Sequence, residues 1–128
     1  MGMLIKETNL ANGLNIQIFN LTRRYYGDYH RVVLEVCCQM EVIPEQMPET
    51  VEFVEVRSLL GEKVVHRRTL ERMGVPTAAV DSAIDELIAQ FTEHSLAYLA
   101  SSSYPRKLIL TELRRVRRKP AMKLSAQD

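Results

Sequence analysis

Long apolar runs are missing from this chain of 128 residues. None approaches the roughly 18 residues that a membrane-spanning helix needs. The first residues include Lys6 and Glu7, so the apolar core of a signal peptide is missing as well. We therefore expect a soluble, cytoplasmic protein that makes no use of a membrane.

Cysteine is scarce, and the two that occur are the adjacent pair Cys37 and Cys38. Neighbouring side chains of a strand point to opposite faces, so the pair is unsuited to chelating one metal ion or to forming a disulfide. We expect one thiol to pack in the core and the other to lie outside it, both of them reduced.

Recognisable metal-binding patterns are also missing. The histidines His30, His66 and His94 form no H-E-x-x-H motif, and no cysteine spacing resembles a zinc site. If the strands that carry His30 and His66 pair, the two imidazoles could share a face, but two ligands without a carboxylate make a weak site. We expect no metal and no cofactor.

Catalytic motifs are missing too, and five glycines leave little material for a phosphate-binding loop. The chain has no G-x-G-x-x-G, no G-x-x-x-x-G-K and no G-x-S-x-G. Asp81, Asp85 and Glu86 fall on the polar side of a predicted helix, where solvated carboxylates are poor acid–base catalysts. We assign no catalytic residue. Whether the protein is an enzyme stays open, with a non-enzymatic role favoured.

What the chain does contain is the composition of a globular domain, 46% hydrophobic and 26% charged. Its clearest element is a long amphipathic helix over about 77–100, which begins after Pro76 and ends before a serine run and Pro105. The apolar stripe of this helix consists of Val80, Ile84, Leu87, Ile88, Phe91, Tyr98 and Leu99.

An antiparallel hairpin is predicted near 14–43. Its first arm runs to about Tyr26, and its second arm, 30–43, is apolar at every even position from 32 to 42. The Gly27-Asp28 turn between the arms is too short for a parallel crossover. A further strand is predicted over 63–73.

Three segments are less decided. A first strand over 3–10 has a weak pattern. The stretch 49–60 could be a strand, but its early glutamates and the glycine stop at Gly61 favour a short helix. The stretch 106–118 suits a helix slightly better than a strand.

The order of these elements indicates an α+β fold, with a small, mostly antiparallel sheet packed against the long helix. We expect one domain over 1–119. The remaining residues, 120–128, have little apolar content and are expected to form a frayed tail.

Charge is segregated along the chain although the net charge is only +1. Residues 41–62 hold six acids and one base, whereas 106–123 hold eight bases and one acid. We favour pairing of the basic end with the acidic middle, within or between subunits, over contact with nucleic acid or another polyanion. The candidate polyanion contacts are Arg114, Arg115, Arg117, Arg118 and Lys119.

Arginine and tyrosine alternate around the predicted hairpin turn, in what we name the hairpin surface. Cross-strand pairing that stabilises the hairpin is the favoured interpretation. A protein interface or a base-stacking, phosphate-contacting surface would use the same residues. The hairpin surface consists of Arg23, Arg24, Tyr25, Tyr26, Asp28, Tyr29, His30 and Arg31.

Three functions are compatible with these patterns. We rank first a non-enzymatic interaction or assembly module, a homodimer or a partner of another protein, because Val33, Cys37 and Ile43 are apolar on the water-facing side of the sheet and sheet edges need cover. Nucleic-acid or polyanion binding is second. A small-molecule or catalytic site between sheet and helix, lined by tyrosine, arginine and histidine, is last.

Overall fold

The computed structural model describes residues 2–47 and 52–127, and it describes their side chains except those of 25, 26 and 118–127. Within these residues an antiparallel sheet packs against helices, which confirms the predicted α+β fold. The elements are β1 (Met3–Asn9), β2 (Asn15–Asn20), β3 (Arg23–Tyr26), β4 (Tyr29–Glu41), α1 (Phe53–Leu60), β5 (Lys63–Pro76), α2 (Val80–Leu99) and α3 (Tyr104–Gln127), with short 3-10 turns at Pro44–Gln46 and Thr77–Ala79.

The strands β2 and β3 form one interrupted arm along the same side of β4. Asn20 pairs with Leu34 and Arg23 with Arg31, which is a single unbroken register. At the interruption, the amide of Val33 donates to the side-chain oxygen of Thr22 at 3.3 Å. The predicted long first arm is therefore present, with a local break where a threonine hydroxyl enters the ladder.

The sheet runs β1, then the β2–β3 arm, then β4, then β5, and every neighbouring pair is antiparallel. The even positions of β4 from 32 to 40 face the helices and are at most 4% exposed, as the alternation predicts. Cys38 lies on this core face and Cys37 on the opposite face, but Cys37 is also buried, at 7% exposed. Both thiols are thus protected from solvent.

The helices settle the undecided segments. The stretch near 49–60 is helical from Phe53, and its residues 49–51 lie outside the described part of the chain. Gly61 ends α1 at φ 80°, a conformation that favours glycine, and its amide donates to the Arg57 carbonyl at 2.9 Å. The stretch 106–118 lies within α3, whose backbone continues to Gln127, so the frayed tail stays a prediction.

The helix α2 packs over both β4 and β5, and α1 packs against α3. The buried stripe of α2, which contains Leu87, Phe91 and Leu99, covers the core above the even residues of β4. No helix among the described residues is both long enough and apolar enough to cross a bilayer.

Hairpin turns fasten both ends of α2. At the C-terminal end, the Asn12 side-chain amide donates to the carbonyls of Leu99 at 2.7 Å and Ser101 at 2.8 Å. At the N-terminal end, Thr77 donates its amide to the Asp28 carbonyl at 3.0 Å and its hydroxyl to the Asp28 carboxylate at 2.7 Å. The predicted turns at Asn12-Gly13 and Gly27-Asp28 therefore also set the position of the long helix.

We expect Asn12→Ala to lower the free energy of unfolding by about 1–3 kcal/mol, because it removes the side-chain donor to the Leu99 carbonyl and one of the two donors to the Ser101 carbonyl. Chemical denaturation at constant m-value measures this loss. Asn9→Ala, an exposed asparagine on the neighbouring strand, is the control and should change stability by less than about 0.5 kcal/mol. Equal losses in the two variants would contradict the fastening role of Asn12.

Leu34→Ala and Phe91→Ala should each cost about 2–5 kcal/mol, since Leu34 is 0% and Phe91 5% exposed in the shared core. Val54→Ala, at a position 76% exposed, should cost little and serves as the control. Urea midpoints that barely move in the two core variants would contradict the packing of α2 on β4.

Candidate functional site

The hairpin surface is partly engaged in holding the fold together. Asp28 is bound by Thr77, and Arg31 pairs with Glu71 on β5. These contacts agree with the favoured interpretation of the hairpin as self-stabilising. Arg23 and Arg24 are exposed, as is Tyr29 at 47%. The side chains of residues 25 and 26 are outside the described set, and a binding role for this surface stays a prediction.

His30 belongs to the same hairpin and lies apart from the other histidines. It is half-buried, and its Nδ1 atom is buried without a hydrogen-bond partner among the described residues. His66 pairs with Cys38 of β4. Cys38 lies eight residues from His30, which is about 26 Å along a strand. His30 and His66 therefore share a face of the sheet but cannot share a ligand.

The basic end of the chain is also engaged within the molecule. Arg115 pairs with the buried Glu112, and Arg117 pairs with Glu55 of α1. The second pair joins the basic end to the acidic middle, as the favoured interpretation of the charge pattern expects. Arg114 is exposed, and the side chains of 118 and 119 are outside the described set. Contact with a polyanion stays a prediction.

The residues that the structure brings together lie elsewhere, in a cavity of about 260 Å³ between the sheet and the helices. We name it the helix–sheet cleft. Its lining consists of Val36, Cys38, His66, Arg68, Phe91, His94, Ser95, Tyr98, Leu99 and Tyr104.

Two periodicities build the helix–sheet cleft. On the sheet side, Val36 pairs with Arg68 and Cys38 with His66, so four neighbouring even positions of β4 and β5 face the same way. On the helix side, the lining residues fall at 91, then at 94 and 95, then at 98 and 99. Steps of three or four residues make one helical turn, so these residues share one face of α2. Tyr104, the first residue of α3, closes one end.

The floor of the cleft is apolar and uncharged. Cys38 and Tyr104 are 3% and 7% exposed. Burial, with a smaller effect from the neighbouring Cys37, raises the pKa of the Cys38 thiol to about 11. Burial likewise raises the pKa of the Tyr104 phenol to about 12. Both groups are neutral at pH 7, so this thiol is not an activated nucleophile.

The rim of the cleft is polar, and Arg68 contributes a guanidinium to its lining. The Arg68 guanidinium donates to the Ser95 hydroxyl at 3.0 Å and lies 5.9 Å from the centre of the Phe91 ring. Among the described residues it has no carboxylate partner. Around the rim, the Tyr98 ring is 54% exposed, packs edge-on against Tyr104 and carries the Lys107 ammonium 5.4 Å above its centre.

The lining of the cleft combines a guanidinium with hydroxyl, thiol and imidazole groups. Its lining includes two imidazoles, of His66 and His94, but no carboxylate that could act as a base or complete a metal site. The described residues contain no group of three histidine, cysteine or acidic side chains that could hold a metal ion. A neutral floor beside a guanidinium favours an organic anion with an apolar body.

A larger cavity of about 370 Å³ lies on the opposite face of the sheet, at the end that carries Glu41 and Lys63. Several of its polar groups bind one another. The Asn15 amide donates to Glu7 at 2.9 Å and to Asn9 at 2.7 Å, and the Gln39 amide donates to Asn15 at 3.0 Å. Because these amides and the Glu7 carboxylate are already paired, this cavity is the weaker candidate.

The sequence hypothesis of a site between sheet and helix named the right residue types but no positions. The missing information was the register of β4 against β5, which places Cys38 beside His66. Tyr98 was counted in the apolar stripe of the helix because a ring at that spacing is usually buried. The signal available in the sequence was the polar triplet formed by His94, Ser95 and Tyr98 on the edge of that stripe.

Searches against protein-family models, curated proteins and solved structures found no match to this chain. Fold and site together define a small α+β protein with a cleft between its sheet and the helices α2 and α3.

Alkaline pH should destabilise the protein through the floor of the cleft. Above pH 10 the unfolded phenol of Tyr104 loses its proton, whereas the buried phenol, with a pKa raised to about 12, retains it, so the unfolded state is favoured as pH rises from 10 to 12. Tyr104→Phe should therefore lose less stability over this interval than the parent protein. Denaturant titrations at several pH values measure the slope.

Tyr29→Phe, at the exposed hairpin tip, is the control and should keep the parent slope. A Tyr104→Phe protein that declines with pH as steeply as the parent would contradict the assignment of Tyr104 to a desolvated floor.

Proposed function

We propose that this protein binds a small organic anion with an apolar body in the helix–sheet cleft, without transforming it. One observation carries this proposal: the Arg68 guanidinium, without a carboxylate partner in the described residues, stands beside a buried and uncharged floor. The apolar part of the ligand lies on Phe91, Leu99 and Tyr104, and its acidic group lies at the rim.

The position of the charge follows from solvation. The same burial that keeps Cys38 and Tyr104 protonated penalises any anion on the floor. At the rim, Arg68 offers a planar set of five N–H donors, of which the contact with Ser95 uses one. The remaining donors can bind a carboxylate through two parallel hydrogen bonds, the strongest arrangement open to an arginine.

The size of the ligand follows from the cavity. A volume of about 260 Å³ is below the range of about 300–1,000 Å³ typical of drug-sized ligands. An acid with a single ring or a short branched chain fits this space. A nucleotide or a folded polymer does not.

The sequence ranks a small-molecule site between sheet and helix last among the three functions, and this proposal ranks it first. The reason is the cavity between the sheet and the helices. The cytoplasmic location is part of the proposal. Cys37 and Cys38 are both free and buried thiols, which suits a reducing compartment.

Isothermal titration calorimetry with phenylacetate tests the proposal, and phenylacetamide serves as a probe of the same shape without charge. Phenylacetate should bind saturably and at least tenfold more tightly than the amide. Arg68→Gln should weaken phenylacetate binding at least tenfold, which corresponds to about 1.4 kcal/mol.

Arg57→Gln is the matched control. Arg57 of α1 also has its guanidinium over a phenyl ring, 5.8 Å from the centre of Phe53, but it pairs with Glu62 and lies outside the cleft lining, so its loss should leave binding unchanged. Equal binding of acid and amide, equal effects of the two arginine variants, or no saturable binding of phenylacetate, benzoate or hexanoate would each refute the proposed function.

A further inference from the structure

The strand β5 leaves one edge open. In the part of the chain that the structure describes, it pairs with β4 alone. It runs without a bulge from Lys63 to Arg72, and the Gly74 bulge and Pro76 lie only near one end. The central residues 66–69 are all exposed. Charged side chains along the middle of this edge, among them Arg67, Arg68 and Glu71, disfavour pairing with an arbitrary strand. A regular edge of this length is therefore a template for a strand whose charges match it.

The side chains along this edge match a second copy of themselves. Antiparallel strands related by a two-fold axis place residues of the same face opposite each other. If the axis passes through Thr69, Arg67 of each copy lies opposite Glu71 of the other, which gives two ion pairs around a threonine pair.

Neighbouring registers are penalised. An axis at Arg67 or Arg68 places an arginine opposite its own copy, and an axis at Leu70 places Arg68 opposite Arg72. Like charges directly opposite are destabilising. Charge therefore selects the register at Thr69 among those centred on the four residues from 67 to 70.

The helices leave room for this pairing. Because α2 packs over both β4 and β5, its axis is set back from the open edge. Strands are about 4.8 Å apart, so two such helices would lie about 10 Å apart across the axis, which is the separation at which helices pack. Contact between the two helices adds to the area that the strand pair buries.

We propose that the protein forms a homodimer in which the β5 strands of two copies pair antiparallel about Thr69, so that their sheets become continuous. In this dimer the partner's Arg72 lies opposite His66, at the open side of the helix–sheet cleft. Within its own chain that arginine pairs with Glu86, so the second copy brings an ion pair to the edge of the proposed ligand site. The dimer itself requires no ligand, so its test is independent of the proposed function.

Disulfide trapping tests the register. Thr69→Cys places two thiols opposite each other within disulfide reach, and oxidation with diamide should convert most of the protein to a covalent dimer. Arg67→Cys is the register control, because its two copies would be offset by four residues, about 13 Å, and should not cross-link. Both cysteine variants are made in a Cys37→Ser background, because Cys37 lies directly opposite Arg67 on β4 and could otherwise form a disulfide with the new thiol within one chain. The parent chain, whose two cysteines are buried, should stay uncross-linked as well.

Charge exchange tests the ion pairs. Glu71→Arg should weaken dimerisation at least tenfold in light scattering or sedimentation, and the double variant Arg67→Glu with Glu71→Arg should restore it. Within one chain the exchange is unfavourable, because Arg67 faces Glu35 and Glu71 faces Arg31. Restoration therefore reports on pairing between chains.

Three results would overturn the dimer: a parent protein that is monomeric throughout the micromolar range, a Thr69→Cys variant that cross-links no better than Arg67→Cys, or a double variant that associates no more tightly than Glu71→Arg. Circular dichroism of each variant shows whether the fold is retained. Thr69→Cys is a small change at an exposed residue, so it is the variant least expected to disturb the fold.

Discussion

The attachment of α2 to two hairpin turns is the constraint on which the rest of this structure depends. Asn12 holds the last carbonyls of the helix, and Asp28 holds Thr77 just before its start. The two turns belong to different hairpins of one sheet, so the helix has a fixed position above β4 and β5. Burial of Phe91 and the existence of the helix–sheet cleft both follow from that position.

Burial acts on one side of the cleft only. On the floor it suppresses ionisation, and the pKa of Cys38 rises to about 11 as a result. On the rim, the exposed Arg68 guanidinium donates to the Ser95 hydroxyl. The cleft therefore has a neutral floor beside an exposed guanidinium.

The sequence predicts the elements that have a strong local period, namely α2 and the hairpin that contains β4. The break at Thr22 was not predicted, because a hydroxyl that enters the ladder leaves the alternation of the strand intact. The helix α1 was ambiguous, and Gly61 was the residue that favoured the correct answer. The cleft could not be located, because it depends on the register that joins Cys38 to His66, and a single sequence contains no signal for pairing between distant strands.

Attachment at both ends also restricts how α2 can move. A shift along its own axis would break the contact at Asn12 or the contact at Asp28, so sliding is excluded while both remain. The two ends are therefore the fixed points of the helix, and Tyr98 and Leu99 lie beside one of them. The cleft lies next to this fixed end, so the distance between its helix wall and the sheet is set by the turn at Asn12.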